Sequence, residues 1–199
     1  MKRISLALLF SAFFTACGSG SDDSSTASKS WPELAGTWVS DCTIAGPWNI
    51  KGNRVYNDVS TTLQVTFYYD KTCFTAWGRT NYEDSYSVGE NVANSTTTKN
   101  VDFTSRSGTL TITNDAEIAD ANEGSLYGYT DWKLNEAKDI LGRKFNVNSV
   151  AERGVGSVDY SIVKIEGNKL YNGDNDTGDG TTPEKRPTAV SNDRALIKQ

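Results

Sequence analysis

The chain has 199 residues, with 20 basic against 25 acidic side chains and a net charge of −5 at neutral pH. That acidic balance argues against nucleic acid as a partner, because phosphates call for a basic face. Histidine is absent, which removes Ser-His-Asp and Cys-His triads, histidine-ligated zinc and histidine acid–base chemistry.

Lys2 and Arg3 open the chain, and an apolar run follows over residues 4–14. Such a run suits a secretory signal and falls short of the ~20 residues needed to span a bilayer as a helix. The run ends in "FTAC", residues 14–17, which resembles the lipobox of bacterial lipoproteins, with Phe14 where that pattern prefers Leu. The resemblance implies cleavage after residue 16, acylation of Cys17 on its thiol and its new amino group, and a membrane partner reached through that anchor. Two or more acyl chains hold a protein stably to a bilayer where one does so only marginally. Gly18 at the next position implies the outer membrane, and hence a body facing periplasm or surface. Residues 17–30 are rich in Gly and Ser and cannot bury a core, so they read as a tether with a reach of roughly 20 Å. Residues 31–199 then form one domain.

Two cysteines remain, Cys42 and Cys73. In an oxidising compartment an even pair is expected to form a bridge, the alternative being a thiolate nucleophile. The body reads as β-structure. A first strand lies in "GTWVSDCTI" (residues 36–44), and "TLQVTFYYD" (residues 62–70) alternates Leu63, Val65, Phe67 and Tyr69 on one face. "TCFTAWGRT" (residues 72–80) answers it across a turn, and the polar, tyrosine-containing stretch over 79–100 reads as loops of contact-surface composition. "GTLTIT" (residues 108–113) is a further strand, and residues 114–124 are open between a helical turn and a loop. Residues 130–144 are expected to form the one helix, with Leu134, Ala137, Ile140 and Leu141 at helical spacing, Asp131 at its start and Gly142 at its end. Residues 157–174 read as two strands around Gly167-Asn168, and residues 194–199 as a closing strand. Seven to nine short strands with one helix point to an antiparallel β-barrel, a β-sandwich being the alternative.

"ELAGTWVSDC", with Gly36-Thr37-Trp38, resembles the Gly-x-Trp signature of lipocalin-like barrels. The segments "DWKLNEAKD" and "GNKLYNGD…RPT" are also similar to those paired in a group of uncharacterised lipocalin-like bacterial lipoproteins. The resemblance implies a small barrel in which Trp38 plugs the closed end and a late arginine, Arg186 or Arg194, packs across it. It implies too a pocket for a small apolar ligand, for which Phe67, Tyr69, Trp77 and Trp132 are the expected wall. The same aromatics would also serve as a solid core.

Asp174, Asp176 and Asp179 cluster among glycines and have the residue types of a calcium loop, without the spacing of an EF-hand; a solvated turn accounts for them equally. Carboxylate pairs such as Glu83-Asp84 and Asp115 with Glu117 lack any orienting partner, and no nucleophile elbow or phosphate loop is present. The expected role is therefore binding rather than catalysis. Its object is a small apolar ligand or, through the loops, another envelope protein, with the body acting as an interaction or inhibitor module.

Overall fold

A computed structural model describes residues 31–45, 47–146 and 153–199. Cys17, the signal segment and the tether lie outside the described residues. Among the described residues there are ten strands and one α-helix. A 3-10 turn, Pro32–Leu34, leads into β1 (Gly36–Ser40), β2 (Thr43–Ala45) and β3 (Trp48–Tyr56). After these come β4 (Ser60–Tyr68), β5 (Ala76–Asn91), β6 (Thr98–Ile112) and α1 (Ala116–Glu123). The chain continues through β7 (Ala137–Asp139), β8 (Val158–Glu166), β9 (Lys169–Asn172) and β10 (Leu196–Lys198).

Every pairing is antiparallel, and eight strands close on themselves in the order β1, β3, β4, β5, β6, β8, β9, β10. Closure is made at β1, which pairs β10 on one side (Trp38 opposite Lys198) and β3 on the other (Trp38 opposite Arg54). A closed ring leaves no long edge unpaired, which is the advantage a barrel holds over a sandwich. β2 extends the β3 side, and β7 adds to β6 beyond the ring.

β5 and β6 form the longest hairpin, so the segment read from sequence as contact loops is mostly strand. Only the connection at residues 92–97 remains a turn. Two register shifts in this pair, at Glu83/Asp84 and at Val88/Asn91, bend it around the barrel. The faces follow the two-residue period: Tyr82, Asp84, Tyr86 and Val88 point inward from β5 while Glu83 and Ser87 are exposed or less buried. On β8, Val158, Tyr160 and Ile162 share the outer face. The inner face carries Asp159 and Ser161, which line the interior, and Val163, which joins the core, while the Gly173 N–H to the Ile162 carbonyl, 2.8 Å, continues the β8–β9 ladder.

Residues 130–144 are not a helix. Asn135 has φ of 61°, and Lys133–Glu136 closes a turn instead. Residues 137–139 pair with β6, and burial falls on Trp132, Lys138 and Ile140 while Leu134 and Ala137 are exposed. Pairing with a free strand edge thus overrides helical spacing. The helix forms one segment earlier, as α1. The clasp between them is Asn122, whose side chain accepts from the Trp132 N–H at 2.5 Å and donates to the Trp132 carbonyl at 3.2 Å.

The inner face holds two apolar clusters. One plugs an end of the barrel with Leu34, Trp38, Tyr56, Val88, Val101, Val163 and Leu170. The other joins Trp77, Leu110 and Ile112 to Ala121, Tyr127, Trp132 and Ile140, where residues 114–146 fold back over the far ends of β5 and β6.

Candidate functional site

Between the two clusters the barrel interior is open. A cavity of about 850 Å³ runs down from a mouth formed by Thr43, Ile44, residues 172–176, Ser191, Asp193 and Arg194. Its walls are Ile50, Leu63, Val65, Phe103 and Leu196, and its polar groups include Ser40, Arg54, Asp159 and Ser161. A second chamber, about 210 Å³, shares Arg54, Leu63, Phe103 and Asp159 with the first and adds Tyr82, Asp84, Ser105, Leu141 and Arg153. Leu141 reaches this chamber over Gly108: a Cβ there would come within 2.7 Å of Leu141 and 2.9 Å of Tyr82. Gly52 lines the main cavity, its N–H bonded to Ser40 Oγ at 2.7 Å, with only ordinary contact distances around a would-be Cβ.

The electrostatics centre on four side chains. Arg153 and Asp159 form an ion pair at 2.8 Å. Arg54 lays its guanidinium over the Phe103 ring, 4.8 Å from the centroid, and donates from Nη1 to Tyr56 Oη at 3.1 Å. Its Nε is buried and has no acceptor among the described residues. Asp84 is 9% exposed. Burial pushes its carboxyl above the ordinary value, against the opposing pull of Arg54 and Arg153, and Asp159 adds to the rise.

Cys42 and Cys73 are bridged, with Cα atoms 5.8 Å apart. The bridge ties the segment before β2 to the β4–β5 turn at the rim. That turn is organised by Asp70, whose carboxylate accepts from the N–H groups of Thr72 (3.0 Å), Phe74 and Thr75 (2.6 Å) and from the Thr72 hydroxyl. Those bonds hold the Asp70 carboxyl far below its usual range.

Trp38 is fully buried in the plugged end, and its indole N–H donates to the Leu34 carbonyl at 2.8 Å. The cation across its ring is Lys198, at 5.0 Å, which also donates to the Glu33 carbonyl at 2.8 Å. Arg186, expected there, sits outside the barrel between β6 and β8. It donates to the carbonyls of Ser161 (2.5 Å) and Val101 (3.3 Å) and pairs with Asp102 at 2.6 Å. The reason is register: β10 places residue 198, not residue 186, opposite Trp38. Arg194 is exposed at the cavity mouth.

Phe67, Trp77 and Trp132 do come together, Phe67 and Trp77 with ring centroids 5.3 Å apart, but as packed core. Neither chamber counts them among its lining, and Tyr69 is 43% exposed beside Trp48. The three aspartates suggested for calcium do not converge. Asp174 Oδ1 accepts from the Asp176 N–H at 3.1 Å, while Asp179 caps Thr181 and reaches Lys185 at 3.4 Å. Among the described residues no three acidic or cysteine side chains are grouped to hold a metal.

Arg54, Phe103 and Asp159 are not among the residues expected from sequence, and Asp84 enters there only in a carboxylate pair without an orienting partner, whereas the fold sets it toward Arg54 and Arg153. The signal was available in β5, where "YEDSYSV" alternates Tyr82, Asp84, Tyr86 and Val88, putting one acid into an otherwise aromatic and apolar inner row. No protein-family model matches the chain, and no curated protein matches it either.

Proposed function

We propose that this protein is a lipid-anchored envelope lipoprotein whose barrel binds a small ligand with an apolar body and a polar end, without catalysis. The supporting observation is the cavity of about 850 Å³, which has the size of small-molecule pockets, and whose lining mixes apolar wall with a few convergent polar groups. The expectation of a purely apolar ligand is thereby narrowed to an amphipathic one. N-phenyl-1-naphthylamine, a neutral lipophile that brightens in apolar surroundings, tests the reading. Its titration is expected to saturate with the wild type and to fail with Gly52→Leu, whose side chain enters the cavity. A flat response from folded wild-type protein would contradict it.

The anchor rests on Cys17 and the lipobox resemblance. Labelled palmitate is expected in the mature product and absent after Cys17→Ser, with the protein shifting from the membrane to the soluble fraction. Unchanged labelling and fractionation would remove the anchor from the account.

A second reading, contact with another envelope protein, draws on the rim, where Phe74 is 88% and Ile44 65% exposed on segments joined by the disulfide. Cross-linking through a photoreactive residue at position 74 in intact cells favours it if a defined protein adduct forms and counts against it if none does.

A further inference from the structure

Arg153 and Asp159, both lining the smaller chamber, satisfy each other. Arg54 and Asp84 do not. Both line the smaller chamber, and among the described residues no ion pair within 4.0 Å joins them. Arg54 keeps a buried Nε donor with no acceptor among the described residues. Asp84, nine-tenths buried, has the Ser105 hydroxyl as its side-chain hydrogen-bond partner. A buried charge without a counter-charge in contact is costly, and so is a buried donor left unmade. Two opposite charges held apart across one chamber are both satisfied by a ligand end that carries an anion and a cation close together.

We infer that the buried end of the ligand is zwitterionic, an α-ammonium carboxylate or a group of the same charge pattern, with its carboxylate on Arg54 and its ammonium on Asp84. This rests on the barrel-ligand reading above. The guanidinium is already fixed by the Phe103 ring and Tyr56 Oη, so little freedom is lost on pairing. The apolar body of such a ligand would extend along Leu63, Val65 and Leu196 toward the mouth. Negative groups at that mouth, Asp174, Asp176 and Asp193 against Arg194, disfavour entry of a plain anion. A zwitterion meets no such net repulsion.

The test compares four probes with one chain length, 2-aminododecanoate, dodecanoate, dodecylamine and dodecanol, by equilibrium dialysis at neutral pH against the purified protein. The amino acid is expected to bind at least about tenfold tighter than each of the others, the size of one charge-assisted pairing. Asp84→Asn should erase its advantage over dodecanoate, and Arg54→Gln its advantage over dodecylamine. Equal binding of all four probes, or tighter binding of a singly charged one, overturns the zwitterion while leaving the barrel as a carrier. Binding of none by folded protein overturns both.

Discussion

Asp84 is a carboxylate whose charge is penalised by its surroundings. The groups facing it are Arg54, Arg153, Asp159, Tyr82 and Ser105, and burial outweighs the two cations. Its folded-state pKa lies above the unfolded value, so the folded protein binds more protons than the unfolded chain between the two values. Stability from this residue is therefore lost as pH rises through that window and stays lost at neutral pH. Asp84→Asn removes the ionisation, and without ligand it is expected to raise Tm at pH 7 by roughly 2–4 °C, about 1 kcal/mol. The gain should shrink in acid, where the wild-type carboxyl is neutral as well. Paired thermal melts at pH 7 and in acid below the ordinary carboxylate range read this directly, and a lower Tm for the variant at pH 7 would contradict it. Gly108 is a second sensitive position. Gly108→Ala drives a methyl into Leu141 and Tyr82 and is expected to cost about 1–3 kcal/mol in urea unfolding, as overpacking does. An unchanged midpoint would mean Leu141 yields freely.

Among the elements, the rim is held by chemistry rather than by area. The Cys42–Cys73 bridge closes a span of 31 residues, which the chain-entropy model values at roughly 3–4 kcal/mol. Cys42→Ser with Cys73→Ser is expected to lose stability of that order while keeping the far-UV spectrum of a β-protein, and reducing agent should have no further effect on the double variant. Asp70→Ala removes the acceptor for three backbone N–H groups of the same turn, so it should melt earlier than the wild type. Asp70 has a depressed pKa, and its stabilisation is present above the unfolded value and fades as pH falls below it. Which elements were legible in the sequence follows from how local their causes are. β4, the hairpin of β8 and β9 around Gly167 (φ 59°) and the bridge were readable, because alternation, a turn glycine and an even cysteine pair are local signals. β3 was not read, because its inward row includes Gly52 and Arg54, which face a cavity and break the apolar alternation. The helix was misplaced from α1 to residues 130–144 because the pairing of β7 with β6, and the seating of Trp132 by Asn122, are long-range facts.

At the scale of the molecule, one barrel end is sealed by Trp38 and its neighbours and the interior above that plug is left unfilled. Trp38→Ala is expected to cost about 3–5 kcal/mol, since it empties the plug. The aromatics that stood out by composition, Phe67, Trp77 and Trp132, are spent on the second core, whereas the groups that shape the cavity are ordinary residues made special by facing inward together. Composition points to bulk, and only closure of the ring decides which side chains share the lumen. The measurement that tests the central claim most directly is diffraction from crystals grown with 12-bromododecanol. The account predicts an anomalous bromine peak or continuous ligand density inside the ring, against Val65, Phe103 and Leu196. A lumen filled by the protein's own side chains, with the bromine only on the outer surface, would contradict it.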